Sequence, residues 1–215
     1  MSPRRIVLAT GNPGKLREMA QVLESLPVEV VSISEIADLP EPDETGTTFA
    51  QNAREKAIYY ASATQEWCLA DDSGLQVDAL DGAPGIRSAR YSSDTVAPGA
   101  DRRTVDRANN AKLLAALQDV PDVERTARFV CCVALAGPDG VLIEASGQFE
   151  GVIARTPAGN NGFGYDPLFY VPAEGAAAAE LPAEKKNSIS HRGRAVRRFS
   201  ELLAGYLSDE TSGLK

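Results

Sequence analysis

Apolar residues in the first part of the chain alternate between strand-like and helix-like patterns. Ile6 to Ala9 is a short continuous apolar run, and Val28 to Ile33 is a second run rich in β-branched residues. Both predict buried strands. Between them, Lys15 to Leu26 predicts a helix because its apolar residues recur every three or four positions. These apolar positions are Leu16, Met19, Ala20 and Leu23.

The next stretch predicts a loop followed by a longer helix. Leu39 to Gly46 is acidic and contains proline, and Thr47 or Thr48 can cap a helix that runs to about Ala63. Its apolar stripe comprises Phe49, Ala53, Ala57 and Tyr60. Asn52 and Lys56 lie one turn apart and share a second face. Taken alone, this pattern indicates a solvent-exposed helix face more strongly than a binding site.

Two carboxylates follow a buried apolar run. Trp67 to Ala70 predicts a strand that ends at Asp71-Asp72-Ser73-Gly74, and Leu75 to Ala79 predicts a second strand after that turn. Buried carboxylates are costly unless a cation meets them. Because magnesium that carries phosphates is a frequent partner of such groups, the turn indicates a site for a phosphorylated molecule. Adjacent residues of an extended chain face opposite ways, so the two acids have different roles.

The second half of the chain contains both helical and strand patterns. A helix is predicted from about Arg102 to Leu117, and Pro138-Asp-Gly140 is the turn of a predicted hairpin. The other predicted segments are a loop over 83–98, hairpin strands over 128–136 and 141–151, an irregular segment over 156–167, a strand over 168–171, a loop or short helix over 173–184, and a helix over 194–207. This mixture predicts a mixed α/β (α+β) fold without repeats.

Composition narrows the functional classes. The chain has 215 residues, of which 43% are hydrophobic, so residues 1–215 are expected to form a single domain with a substantial core. With 22 basic and 30 acidic residues, its net charge of −8 disfavours binding to a nucleic-acid polymer. No signal peptide or membrane-spanning run is evident. Cys68, Cys131 and Cys132 lie in apolar runs, which favours reduced thiols and a cytoplasmic location.

Two further segments have the composition of a nucleotide site. Small residues between a strand and a helix, in Thr10-Gly-Asn-Pro-Gly-Lys15, allow close approach to phosphate, although an ordinary turn fits equally well. Gly159-Asn-Asn-Gly-Phe-Gly-Tyr-Asp166 either stacks Phe163 on an aromatic base or packs its aromatics into the core. Lys186, His191 and Arg192 belong to a locally basic stretch in a turn before the last helix, which favours contact with an anion or a base.

Taken together, these segments resemble the inosine triphosphate pyrophosphatase family of non-canonical purine nucleoside triphosphate pyrophosphatases (dITP/XTP diphosphatases). The resemblance spans nearly the whole chain, and its motifs occur in the family's order. They are Thr10-Gly-Asn-Pro-Gly-Lys15, Glu44-Thr-Gly-Thr-Thr-Phe49 with Asn52 and Lys56, Ala70-Asp-Asp-Ser-Gly-Leu75, Gly82-Ala-Pro-Gly85 with Ser88-Ala-Arg-Tyr91, Gly162-Phe-Gly-Tyr-Asp-Pro167, and Ser190-His-Arg-Gly193.

The resemblance implies an elongated mixed β-sheet flanked by helices, with two lobes and a central substrate cleft. It implies a homodimer that hydrolyses ITP, dITP and XTP to the monophosphate and pyrophosphate with Mg²⁺. Asp72 would be the general base and a metal ligand, Glu44 would assist the metal, and Asp71 is the weaker candidate for the base. The residues that would bind substrate are Thr10, Gly11, Asn12, Pro13, Gly14, Lys15, Lys56, Ser73, Phe163, Gly164, Tyr165, Asp166, Lys186, His191 and Arg192.

Two alternatives stay open at this point. A pyrophosphatase for another base class, such as the septum-inhibition Maf family, resembles this fold but has different phosphate-loop residues. A nucleotide-binding regulator without turnover would keep Lys15 and the Phe163 loop but would not need Asp72 and Glu44.

Overall fold

The computed structural model describes residues 3–10 and 13–211 and contains a seven-stranded mixed sheet. Its strands are β1 (Arg4–Leu8), β2 (Val28–Ser32), β3 (Trp67–Val77), β4 (Thr126–Gly137), β5 (Gly140–Ile153), β6 (Phe169–Val171) and β7 (Ala176–Ala177). Their order in the sheet is β2-β1-β3-β4-β5-β6-β7. β1 pairs in parallel with both β2 and β3, whereas β6 is antiparallel to β5 and β7. The predicted mixed α/β class is therefore confirmed.

The α-helices of the described residues lie between these strands or after the last of them along the chain. They are α1 (Pro13–Leu23), α2 (Ile33–Ile36), α3 (Phe49–Thr64), α4 (Arg102–Ala116), α5 (Ala183–Ile189) and α6 (His191–Thr211). The predicted capping of α3 is confirmed at Thr48, whose side chain accepts a hydrogen bond from the Gln51 N–H at 3.1 Å. No helix among these residues is long and apolar enough to cross a bilayer.

The prediction of an acidic turn between two strands is wrong. Asp71-Asp72-Ser73-Gly74 lies inside β3, which continues unbroken from Trp67 to Val77. Asp71 is 4% exposed and Asp72 is 8% exposed. Carboxylates remain in a buried strand only where donors or cations meet them, and the contacts that do so here come from helices far away in the sequence.

Other boundaries also differ from the sequence prediction. The 83–98 loop contains a 3₁₀ helix over Gly85–Arg90. The 173–184 segment, predicted to be a loop or short helix, contains the strand β7 and a 3₁₀ helix over Ala178–Glu180, and α5 begins at Ala183. α6 begins at His191, so His191 and Arg192 occupy its first turn instead of a turn before it. The apolar pattern that marks α6 starts only at Ala195, which explains the late predicted start.

Packing divides the chain into two compact units. The first comprises Met1–Asp72, Cys131–Gly147 and Arg192–Lys215, and the second comprises Ser73–Val130 and Gln148–His191. In the first unit, side chains of each strand alternate between two cores. Leu69 packs in a core with residues of α1 and α6, whereas Cys68 and Ala70 pack with residues of α3.

The second unit has a core of its own. It joins the end of β3 at Leu75 and Val77 to Leu113 of α4, to Leu117 directly after that helix and to Phe169 of β6. Arg125 is buried beneath this core and donates to the carbonyls of Leu117, Ile153 and Ala154 at 2.6, 2.7 and 3.2 Å. Backbone acceptors at the ends of α4 and β5 thereby satisfy its guanidinium.

Candidate nucleotide and metal site

Alternation along β3 sends the two aspartates to opposite faces of the strand. Asp71 shares the face of Leu69, where Lys15 of α1 donates to its Oδ2 at 2.7 Å and Arg192 Nε of α6 lies 3.9 Å away. Burial alone would raise the pKa of the Asp71 carboxyl, but the charges of Lys15 and Arg192 outweigh it, and this pKa lies below its ordinary value. Asp71 is therefore an ionised partner of two cations.

Asp72 shares the face of Ala70 and meets α3. The Asn52 side-chain amide donates to Asp72 Oδ2 at 2.9 Å, and the Asn52 amide oxygen accepts from the Gly46 N–H at 2.8 Å. Through these two hydrogen bonds, Asn52, which is 1% exposed, connects the acidic loop to β3. A Cβ on Gly46 would overlap this amide oxygen, so a glycine permits the close approach.

Lys56 lies one turn along the same face of α3 and meets two acids of the preceding loop. Its Nζ donates to Glu41 Oε1 at 2.8 Å and lies 3.5 Å from Glu44 Oε1. Burial alone would lower the pKa of Lys56, but Glu41, with further help from Glu44 and Asp71, raises it above its ordinary value. The ammonium is therefore charged at neutral pH.

The prediction that the Asn52 and Lys56 face is solvated is wrong, since Lys56 is 8% exposed and Asn52 is more deeply buried. The acidic loop covers this face, and its carboxylates satisfy the lysine. Charge complementarity between the loop and α3 holds the two segments together, while loop residues such as Glu41 and Asp43 stay exposed.

The donor set on this face fits a hard divalent ion. Asp72 and Glu44 contact residues that lie one helical turn apart on α3, and both offer carboxylate oxygens. No cluster of three or more His, Cys, Asp or Glu side chains suited to a metal occurs among residues 3–10 and 13–211. Mg²⁺ needs only one or two carboxylates when water and substrate phosphates complete its shell, so Asp72 and Glu44 would suffice.

The predicted phosphate loop is only partly described. Gly11 and Asn12 lie outside the described residues, whereas α1 begins at Pro13 and carries Lys15. Proline suits the first position of a helix because its missing N–H is not needed there. Thr10 lies two residues after the end of β1, so the strand-to-helix connection that the sequence predicted is confirmed at both of its ends.

The glycine-rich loop of the second unit divides its two aromatic residues. Phe163 is 47% exposed, and the Lys186 Nζ lies 5.3 Å from its ring centroid. Tyr165 is buried in the core, where its hydroxyl donates to the Ser88 carbonyl at 2.8 Å. Burial raises the pKa of the Tyr165 hydroxyl. The core-packing interpretation is therefore confirmed for Tyr165, whereas base stacking by the exposed Phe163 stays a prediction.

Asp166 fixes the shape of the same loop from within. Its Oδ2 accepts from the Phe163 N–H at 2.8 Å and also pairs with the Lys186 ammonium. Gly162 has φ of +76°, and a Cβ at this position would overlap the Asp166 carboxylate. Glycine is required here both for its conformation and for the space it leaves.

His191 and Arg192 begin α6 but belong to different units. The His191 ring stacks on Phe129 with centroids 4.9 Å apart, and Arg192 is buried near Asp71. Ser73 follows Asp72 in β3 and is half-buried. Most of the predicted site residues thus fall into two groups, which we call the charged group (Lys15, Glu44, Lys56, Asp71, Asp72 and Arg192) and the aromatic loop (Gly162–Asp166 with Lys186).

Comparison with known proteins identifies the family. The model of the Ham1 family matches residues 6–202, which is most of the chain. The chain belongs to the Ham1 family. The resemblance drawn from the motifs is thereby confirmed, and the matched range includes both the charged group and the aromatic loop.

Named relatives of this Ham1-family chain carry one activity in their names. A dITP/XTP pyrophosphatase of Geobacter sulfurreducens is 52% identical over 192 residues, covering 89% of this chain and 92% of the relative. A dITP/XTP pyrophosphatase of Desulforamulus reducens is 51% identical over 199 residues, covering 93% of this chain and 95% of the relative.

Solved structures of the family share the fold. A HAM1 protein from Coxiella burnetii superposes with a TM-score of 0.85 at 42% identity, covering 94% of this chain and 99% of that one. A nucleoside-triphosphatase (dITP/XTP pyrophosphatase) from Mycobacterium abscessus gives a TM-score of 0.75 at 44% identity, covering 91% and 97%.

The structure of this Ham1-family protein adds residues that the sequence did not assign to the site. Asn52 and Glu41 contact the charged group directly. Ser88 supports the aromatic loop from the second unit, where its Oγ also accepts from the Leu75 N–H at 2.8 Å. Asn52 and Ser88 belong to the family motifs, which was the sequence signal that could have placed them at the site. Only the contacts in the structure show that Asn52 binds Asp72 and that Ser88 binds Tyr165.

Proposed function

We propose that this chain hydrolyses non-canonical purine nucleoside triphosphates, namely ITP, dITP and XTP, to the nucleoside monophosphate and pyrophosphate. The observation that carries the proposal is the charged group, in which buried and half-buried lysines and carboxylates are gathered around β3. Such charges suit the neutralisation that phosphate-anhydride hydrolysis requires. The names of the relatives support the choice of base class.

The charged group would bind the polyphosphate. Lys15 and Lys56 would neutralise the phosphates, with Thr10 to Gly14 approaching them through the backbone. Their present carboxylate partners, Asp71 and Glu41, would give way to phosphate oxygens of the same charge sign. A bound divalent ion, for which we propose Mg²⁺, would polarise the anhydride and lower the pKa of a water molecule.

Asp72 would orient the attacking water and accept its proton. Asn52 holds one carboxylate oxygen at 2.9 Å, which fixes the direction of the other. The oxygen of that water would bond to the α-phosphorus as the bond from this phosphorus to the bridging oxygen breaks, which releases pyrophosphate. Asp71 is less suited to the role because Lys15 and Arg192 lower the pKa of its carboxyl, which makes the carboxylate a weaker proton acceptor.

The aromatic loop would recognise the base. Phe163 would stack on the purine ring, while Ser73, Lys186, His191 and Arg192 would supply further contacts. Hypoxanthine and xanthine present a 6-keto acceptor, whereas adenine presents an amino donor. Donors placed toward that position discriminate between them by roughly 10⁴-fold where a mismatch leaves buried groups unpaired. Tyr165 and Asp166, both buried, would hold the loop instead of touching the base.

The decisive experiment is pyrophosphate release from a nucleotide panel with and without Mg²⁺. We expect dITP, ITP and XTP to be hydrolysed faster than ATP and GTP, with activity lost in a chelator. Faster turnover of modified pyrimidine triphosphates would favour a Maf-like enzyme, and binding without turnover would favour a regulator.

The homodimer, the single domain and the cytoplasmic location also stay proposals. Light scattering tests the first of them.

A further inference from the structure

We propose that Asp106 and Asn110 of α4 are positioning residues that hold the aromatic loop so that Phe163 meets the base. The inference rests on the proposed function, since it concerns the site that would recognise the purine. Neither residue belongs to the motifs that carry the family resemblance, and neither belongs to the charged group.

The geometry is a two-point clamp on one residue, Gly164. The Gly164 N–H donates to Asp106 Oδ2 at 2.9 Å, and the Gly164 carbonyl accepts from the Asn110 side-chain amide at 2.8 Å. Asp106 and Asn110 lie four residues apart on α4 and therefore share a face. Gly164 has φ of +62° and lies outside regular structure, so α4 takes the place that a neighbouring strand would have in a sheet.

The clamp restricts Phe163 because Gly164 is its neighbour. The Phe163 N–H donates to Asp166 at 2.8 Å, and the N–H of the next residue, Gly164, donates to Asp106. With both peptides fixed, the remaining freedom of the Phe163 ring is mainly rotation about its side-chain torsions. An exposed ring that is ordered before binding costs less entropy when a base stacks on it.

The clamp stands on a rigid support. On the same helix, Asn109 is buried and accepts from the Ser92 N–H and hydroxyl at 2.8 and 2.7 Å, while Leu113 belongs to the core of the second unit. Asp106 is itself oriented by Arg102, whose Nε lies 3.0 Å from Oδ1. A position on a packed helix defines the loop more sharply than a loop-to-loop contact would.

The test uses two isosteric changes with opposite expectations. Asp106→Asn keeps an oxygen acceptor for the Gly164 N–H, whereas Asn110→Asp replaces the amide donor with an oxygen that faces the Gly164 carbonyl. We expect Asn110→Asp and Asp106→Ala to raise KM for dITP by about tenfold with kcat within about threefold, and Asp106→Asn to stay within about threefold of wild type in both. Arg103→Ala, an exposed change on α4, is the control.

A second readout does not depend on turnover. In the nucleotide-free protein, we expect exchange of the Gly164 amide hydrogen to accelerate by about tenfold in Asp106→Ala and to change little in Asp106→Asn and Arg103→Ala. Unchanged exchange would overturn the clamp. Faster exchange with unchanged KM for dITP would overturn its role in positioning. Absence of turnover in the wild-type protein would instead overturn the proposed function, so the failures are distinguishable.

Discussion

The charged group and the aromatic loop hold their shapes by different means. In the charged group, side chains pair with side chains of opposite charge, as in Lys15 with Asp71 and Lys56 with Glu41. In the aromatic loop, carboxylates and amides hold backbone groups, as Asp166 holds Phe163 and Asp106 holds Gly164. Charge suits a polyphosphate, which every nucleoside triphosphate carries, whereas fixed backbone geometry suits a base, which differs among them.

This comparison predicts two kinds of variant. Changes in the charged group at residues other than Arg192 should slow hydrolysis of every triphosphate by a similar factor. Changes in the aromatic loop should alter KM and discrimination while leaving the metal requirement intact. The following experiments test that separation.

Asp72→Asn should have the largest effect. We expect kcat to fall by 10²–10³-fold, as an order-of-magnitude estimate, for dITP, XTP and ATP alike, because both the proton acceptor and a ligand charge for the metal are lost. Steady-state pyrophosphate release measures this. Asp43→Asn, in the exposed part of the acidic loop that carries Glu44, should keep wild-type activity. Near wild-type turnover in Asp72→Asn would remove the assigned mechanism.

Lys15→Ala should reduce kcat/KM by about 10²-fold for all purine triphosphates because a phosphate-neutralising charge is lost. It should also lower the free energy of unfolding by roughly 1–3 kcal/mol, since Asp71 is left buried with less neutralisation.

The double variant Lys15→Met with Asp71→Asn separates these two effects. Urea titration should show most of the lost stability restored, because the uncompensated carboxylate is gone. Activity should remain low, because the ammonium is still missing. Recovery of activity along with stability would mean that Lys15 serves the fold alone.

Gly162→Ala should raise KM for dITP by about tenfold without changing the Mg²⁺ concentration required. The added Cβ overlaps the Asp166 carboxylate, and the positive φ strains any other residue. Gly205→Ala is the matched control, because that glycine lies in α6 with open space around its Cβ position. A normal KM in Gly162→Ala would indicate that the loop adapts freely and does not set base recognition.

Arg192→Ala should have the smallest effect and tests which group Arg192 serves. We expect the preference for ITP over ATP to narrow by severalfold, because a donor toward the 6-keto oxygen is lost. Its distance of 3.9 Å from Asp71 offers a different role, on the phosphate side. An equal loss of kcat/KM for ITP and ATP would assign Arg192 to the charged group alone.

Most helices and strands were predictable from local pattern. The stripe of Phe49, Ala53, Ala57 and Tyr60 is buried as its spacing requires, and the predicted helix over 102–117 appears as α4. The turn predicted at Asp71-Asp72-Ser73-Gly74 was wrong because polar residues of this kind normally leave a sheet. In this protein, donors far away in the sequence satisfy the two carboxylates. The hydrogen bond from Asn52 to Asp72 joins residues 20 positions apart, so the residues next to Asp72 do not predict it.

The amino-acid sequence by itself determined the family, the α/β class and the residue types of the chemistry, because these depend on motif order, periodicity and composition. Only the tertiary structure decided which carboxylate meets which cation. Alternation along β3 sends Asp71 to Lys15 and Asp72 to Asn52, and the packing of the acidic loop buries Lys56. Pairings between residues dozens of positions apart depend on which faces of the sheet and helices come together, and a linear pattern does not contain that information.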